Sequence, residues 1–304
     1  MIWDIPPTPV QELSSTLLTE KEIRVFVKRD DLTHPEIMGN KWRKLKYNFL
    51  EAKKQSVKTI VTFGGAYSNH IAATAAACQA DGFHGIGIIR GEELNTYSNP
   101  TLAKAARQGM EFRFVDRTTY RKMTESLMID NPPDDPYIIL SEGGTNELAI
   151  KGCSEIVDEI GIDFDICCSP FGTGGTIMGL LSKMPSNKQI WAFSALRGNW
   201  LENHIDHLKS MYAIRKNNYR VFQDDFFGGY ARFNQNLIQF ILDFRQEYGI
   251  LIDPIYTGKM FYRVWDMIKN DQIAKKSTLL LVHTGGLQGI EGINFRFGLN
   301  LPLP

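Results

Sequence analysis

Lys41 stands just behind Gly39-Asn40, where a glycine turn meets the first residues of an amphipathic run. An amine on the first turn of a helix lies close to unpaired backbone N–H groups. Their partial positive charge lowers its pKa, and so does confinement in a cleft. A lysine tuned in this way can condense with an aldehyde and later act as a base. The plain alternative is a solvated side chain, which is the expectation for its neighbours Lys44 and Lys46.

Four more groups have residue types that could act on the same small molecule. Gly172-Thr173-Gly174-Gly175-Thr176 follows an apolar run, and its glycines let several N–H groups point at one anion, with Thr173 and Thr176 adding hydroxyls. It is not a P-loop, because no Gly-Lys-Ser/Thr follows. It is a poor dinucleotide fingerprint, because Ile177 falls where the third glycine belongs. The plain alternative is a tight strand-to-helix turn. Ser68-Asn69-His70 opens an alanine-rich helix whose first amides suit a carboxylate, and Ser68 or Asn69 can also be a simple N-cap. In Asp253-Pro254-Ile255-Tyr256-Thr257 the proline fixes a turn before a helix. Tyr256 there can cover a flat ring, exchange a proton, or merely pack. Thr284, in His283-Thr284-Gly285-Gly286, offers a neutral hydroxyl to a ring nitrogen.

The elements that must position these groups alternate along the chain. Residues 23–27, 59–63, 85–89, 111–115 and 137–140 read as strands, and 40–53, 68–79 and 101–108 as helices. The pattern resumes with strands at 165–169, 189–193 and 279–282 and a helix from Gly174. Strand, glycine turn, helix, repeated, indicates an α/β fold with mainly parallel sheets. In such sheets ligands gather at the carboxyl ends of strands, where every glycine turn named above falls. Residues 130–136 read as a surface loop, and 203–223 are polar without a clear pattern.

Composition narrows the class. A chain of 304 residues suits two domains sharing a cleft. The net charge is zero and its charges are dispersed, which argues against nucleic-acid or membrane-surface binding. The N-terminal residues do not read as a secretory leader and no apolar run is long enough to span a bilayer, so a cytoplasmic setting is expected. The four cysteines form no CxxC, and Cys167-Cys168 read as small core residues. His204 and His207 lie one helical turn apart but lack a third ligand nearby, so no metal is expected.

Taken together, Val27-Lys28-Arg29-Asp30-Asp31-Leu32, Gly39-Asn40-Lys41-Trp42-Arg43-Lys44-Leu45, Gly64-Gly65 with Ser68-Asn69-His70, and the motifs at 172–176, 253–259 and 283–287 resemble one family, in order. It is the pyridoxal-phosphate enzymes of the 1-aminocyclopropane-1-carboxylate (ACC) deaminase and D-cysteine desulfhydrase family. The resemblance implies a tryptophan-synthase β-subunit type of fold (fold type II), with two three-layer αβα domains and mainly parallel twisted sheets. Residues 1–45 and 160–304 would form the large cofactor-binding domain and 46–159 the small one. It also implies a homodimer, with pyridoxal phosphate bound to Lys41. Gly172 to Thr176 (Gly172, Thr173, Gly174, Gly175, Thr176) would hold the phosphate, Asn69 the ring hydroxyl and Thr284 the ring nitrogen. Ser68 would bind the substrate carboxylate with Asn69 and His70 beside it, and Tyr256 would lie against the cofactor.

The position after the motif tyrosine, a glutamate in ACC deaminases, is Thr257 here, and His70 stands where they tend to have glutamine. Both differences lean toward the desulfhydrase, acting on a small D-amino acid with Lys41, Ser68 and Tyr256 as catalytic groups. Tyr67, Ile71-Ala72-Ala73 and Glu142 depart from both patterns near the expected substrate pocket. The rival expectations are ACC ring opening, a D-serine or β-chloro-D-alanine lyase, a racemase, and a non-catalytic cofactor-binding protein. A nicotinamide oxidoreductase is disfavoured by the missing third glycine and acid.

Overall fold

A computed structural model of the protein describes residues 2–198, 200–223 and 226–304; Met1, where the reading of the N-terminus begins, lies outside them. The chain opens with β1 (Val10–Leu13), α1 (Thr16–Lys21) and β2 (Arg24–Lys28), the two strands pairing antiparallel. It then leaves this sheet through α2 (Asn40–Lys54) and builds a second one. That sheet uses β3 (Thr59–Gly64), β4 (His84–Arg90), β5 (Glu111–Val115) and β6 (Tyr137–Leu140), all parallel, in the order β5-β4-β3-β6. Its helices are α3 (Asn69–Asp81), α4 (Pro100–Arg107) and α5 (Arg117–Ser126).

After α6 (Glu147–Asp158) the chain returns to the first sheet with β7 (Ile166–Phe171), α7 (Gly175–Lys183), β8 (Gln189–Ser194), α8 (Leu201–Met211) and β9 (Tyr219–Phe222). It closes with α9 (Gln235–Tyr248), α10 (Thr257–Lys269), β10 (Thr278–Val282) and α11 (Gly289–Phe297). The strand order is β1-β2-β10-β7-β8-β9, parallel except for β1. Both sheets carry helices on both faces, the α/β layering expected from the sequence. Among the described residues no helix is long and apolar enough to cross a membrane, and no group of three or more His, Cys, Asp and Glu could hold a metal.

Local sequence explains the boundaries. Ser68, Asn99, Asp116, Asn146 and Asn234 each cap a helix with a side-chain oxygen. Trp42, Leu45 and Phe49 recur on one face of α2 and are at most 1% exposed. Each such side chain contributes about 2–3 kcal/mol by leaving water. The segment 203–223, without a pattern in the sequence reading, holds most of α8 and all of β9; Leu201, Ile205 and Leu208 form the buried stripe. All four cysteines are free and buried, which for Cys167 and Cys168 agrees with the sequence reading.

A buried ion network ties α2 to its neighbours. Arg43 donates to both carboxylate oxygens of Asp30, at 2.9 and 3.1 Å, and to Glu159, while Lys28 donates to Glu159 at 2.6 Å. Burial pushes the Glu159 carboxyl up, but Arg43 and Lys28 together hold it below its ordinary value.

Candidate active site

Gly39 fixes where α2 begins. Its φ is +62°, and a methyl there would lie 2.0 Å from the carbonyl oxygen of Thr284. Only glycine allows this contact, which lets Asn40 N–H donate to the Thr284 carbonyl at 3.1 Å. The Asn40 side chain donates to the Thr176 hydroxyl at 3.0 Å. Helix α2 is thus docked at once on the end of β10 and on the start of α7. Lys41 follows directly, half-buried, at the carboxyl edge of the larger sheet. Loss of solvation, reinforced by the nearby Lys44 charge, lowers its pKa to about 7.

Lys44 does not lie in solvent as expected: it is 2% exposed. Three residues beyond Lys41, it shares that residue's face of the helix. Its ammonium donates to the Gly143 carbonyl at 2.9 Å, to Thr173 Oγ1 at 3.1 Å and to Thr145 Oγ1 at 3.2 Å. Among the described residues it has no carboxylate partner, and burial lowers its pKa to about 8. A buried cation with only neutral acceptors is incomplete without an anion. Lys46, by contrast, pairs with Glu155 at 2.8 Å and is partly exposed.

The glycine turn after β7 supplies the rest of an anion cup. Gly174 has φ +90°, and Gly175 passes so close that an added methyl would sit 3.0 Å from Lys44 Nζ. Thr173 also meets Thr145 Oγ1 at 2.8 Å, and Thr176 is buried at the first turn of α7. The cup joins a helix start, two hydroxyls and the Lys44 ammonium.

Helix α3 comes in from the smaller sheet. Ser68 caps it by accepting from Ile71 N–H at 3.3 Å. Asn69 packs on the turn after β10: methyls added at Gly286 and Gly289 would lie 3.1 and 2.9 Å from its amide. His70 is 2% exposed and turned inward, with Nε2 2.8 Å from Thr62 Oγ1 and Nδ1 without a partner, facing Gly144. The Thr62 hydroxyl donates to the Leu140 carbonyl at 3.2 Å. His70 therefore carries its proton on Nε2 and leaves Nδ1 as a bare acceptor. Burial, then the charges of Lys41 and Lys44, push its pKa well down.

The loop before α10 completes the cleft. Buried Asp253 accepts from the backbone N–H groups of Ile255, Tyr256 and Thr257 and from Thr257 Oγ1 at 2.6 Å. That geometry sets Tyr256 against Gly172, where a methyl would lie 3.4 Å from the ring. Tyr256 meets Tyr230 edge to face at 5.9 Å. Burial first, then Tyr230, Asp253 and Glu142, raise the Tyr256 hydroxyl well above its usual value. Tyr230 was missed in the sequence; the signal was Gly228-Gly229, both with positive φ, just before it. Thr284 is buried beside Gly39.

The geometry thus gathers Lys41, Thr173, Thr176 and Thr284 around the start of α2, Asn69 against the turn after Thr284, and Tyr256 against Gly172. It adds Lys44 and Tyr230. His70 lies beneath the group rather than within it.

The profile of the family described as pyridoxal-phosphate dependent enzyme matches residues 4–285. A Pyrococcus abyssi protein provisionally named 1-aminocyclopropane-1-carboxylate deaminase is 30% identical, covering 93% of this chain and 90% of its own length. A Klebsiella pneumoniae D-cysteine desulfhydrase is 27% identical, covering 92% of each chain. A crystal structure of an ACC deaminase homologue superposes with a TM-score of 0.79 at 27% identity, covering 97% of this chain and 92% of that one.

Proposed function

The chain belongs to the pyridoxal-phosphate dependent enzymes, in the branch of ACC deaminases and D-cysteine desulfhydrases, and from that premise we propose that it is a lyase for a small D-amino acid. Its cofactor is pyridoxal phosphate, and the proposed reaction is β-elimination of the D-cysteine desulfhydrase kind, giving pyruvate, ammonia and sulfide.

The residues fit the cofactor. Lys44 and the turn from Gly172 to Thr176 form a cup with an unneutralised buried cation, which suits a phosphate dianion. Lys41, with a pKa of about 7, would anchor the aldehyde carbon; this lowered amine beside an anion cup is the observation that carries the reading. Asn69 would meet the ring hydroxyl, Thr284 the ring nitrogen, and Tyr256 the ring itself. When bound, the cofactor supplies a conjugated ring that spreads charge left at the substrate's α-carbon.

The protein's own groups do the rest. Ser68 and the first amides of α3, with His70 behind them, would bind and orient the substrate carboxylate. Lys41, about half neutral near pH 7, would accept the α-proton. Tyr256 keeps its proton at neutral pH, so it would donate a hydrogen bond rather than act as a phenolate. Position 257 is a threonine, with its hydroxyl spent on Asp253, rather than an acid, which favours the desulfhydrase over the deaminase. The names of the relatives keep ACC ring opening to 2-oxobutyrate as the second reading.

We extend the proposal to the whole protein: a large domain of residues 1–45 and 160–304, a small one of 46–159, and a cytoplasmic homodimer. The pairing of β2 with β10 supports the discontinuous large domain. The deciding assay is keto-acid release by the loaded protein. Pyruvate with sulfide from D-cysteine, and nothing from ACC, is the expected result; 2-oxobutyrate from ACC moves the function to the deaminase.

A further inference from the structure

The carboxyl edge of the smaller sheet carries charges that this chemistry leaves unused. β4 ends at Arg90, and β6 runs on to Glu142 in the next turn, with β3 between them. Neighbouring strands lie about 4.8 Å apart, so these two are separated by about 10 Å. The ground between them is Gly64-Gly65. A methyl at Gly65 would meet only Arg90 Nη2 within van der Waals reach, at 3.6 Å, so there is open room there.

Both side chains are solvent-accessible, and among the described residues Arg90 and Glu142 take part in no ion pair. Arg90 lies 5.5 Å from the centre of the Tyr120 ring, whose hydroxyl is raised chiefly by burial and then by Glu142 and lowered by Arg90, so Tyr120 lies within reach of both charges. Across the cleft stand Tyr230 and Tyr256. Beyond the effect of burial, Glu142 raises the Tyr230 hydroxyl and Arg90 lowers it, and Glu142 also raises Tyr256, so both charges act on the cleft.

A guanidinium offers only donors and a carboxylate only acceptors. With the Arg90 guanidinium reaching over Gly65 at the end of β3 and Glu142 following the next strand, they complement a head that presents an acceptor on one side and a donor on the other, with no net charge. A carboxylate head would satisfy Arg90 and be repelled by Glu142, and an ammonium head would do the reverse. Resting on the reading of this cleft as an amino-acid site, we propose that Arg90 and Glu142 are the two poles of a side-chain pocket that selects D-amino acids ending in a carboxamide. A substrate of the proposed elimination would carry the carboxamide on the group that leaves the β-carbon; D-cysteine has the leaving group but leaves both poles unmet, and D-asparagine and D-glutamine, which lack one, report binding alone.

The test titrates the pyridoxal-phosphate-loaded full chain with D-asparagine, D-glutamine, D-aspartate, D-glutamate and D-alanine, reading the change in cofactor absorbance. At least one amide is expected to bind roughly tenfold tighter than its matching acid and than D-alanine, the scale of a hydrogen bond to a charged group. Glu142→Gln should turn the preference from amide to acid, and Arg90→Gln should weaken the amide without weakening D-alanine. A merely structural role would move all ligands together. Acid binding as tight as amide in the unaltered protein, or uniform losses in both variants, overturns the proposal. A protein with no borohydride-sensitive yellow chromophore would overturn the amino-acid reading itself, and this pocket with it.

Discussion

At the scale of single residues, the two lysines of α2 divide the work. Lys41→Ala should abolish turnover and the covalently held chromophore while leaving the circular dichroism unchanged; normal turnover in that variant would falsify the assignment. Lys44 gives a pH test on the cofactor-free protein. Its folded pKa, about 8, lies below the 10.5 of a free lysine, so between those values the unfolded chain holds a proton that the folded one lacks. The penalty for burying the charge is full below pH 8 and fades as the pH rises through that window. It is on the order of 3 kcal/mol for a shift of this size. Lys44→Met should therefore gain stability over the unaltered protein at pH 7 and lose that gain toward pH 10, as followed by urea unfolding. Taking the difference between the two proteins removes the contribution of titratable groups that do not interact with Lys44. The same variant should bind pyridoxal phosphate at least tenfold more weakly, measured by fluorescence titration. A difference that stays flat with pH would mean that burial does not lower the Lys44 pKa.

At the scale of elements, the site depends on where α2 starts. Gly39→Ala combines a strained φ with a collision against the Thr284 carbonyl, so one of two packed segments must move. A loss of several kcal/mol is expected, with a weaker cofactor band in whatever folds, read by thermal unfolding and absorbance. Removing Arg43 leaves Asp30 buried without its main partner; Arg43→Leu should cost about 3–5 kcal/mol in denaturant unfolding. These elements were legible to different degrees. The strands of the smaller sheet are short β-branched runs ended by glycine or polar turns, and their positions follow from the sequence to within a residue or two. α8 was not recognised, although Leu201, Ile205 and Leu208 carry helical spacing, because polar residues crowd between them. Lys44 looked like a surface lysine. Its spacing from Lys41 puts both on one face, but only packing of α2 against α6 and α7 shows that this face is inward. Tyr230 is brought to Tyr256 by a loop, and no period in the sequence encodes that contact.

At the scale of the whole molecule, the fold class could be read early because strand, turn and helix repeat, while the order of the strands could not, because register between distant segments leaves no local trace. If the protein is the homodimer proposed above, sedimentation equilibrium at micromolar concentration should give twice the chain mass, and a single-chain mass would remove that part of the proposal. The strand order also bears on how the chain emerges from a ribosome. All four strands of the smaller sheet lie within residues 59–140, so that sheet can assemble while the rest is still being made. β2 is made early but pairs with β10, where Lys28 stands opposite Val282. Until β10 and Thr284 have been synthesised, one edge of β2 has no partner, and the start of α2 has no Thr284 to rest on. Lys41 is thus translated well before β10, the strand whose end completes its setting. Nascent chains stalled short of residue 278 should bind no cofactor and should present a sticky strand edge to chaperones.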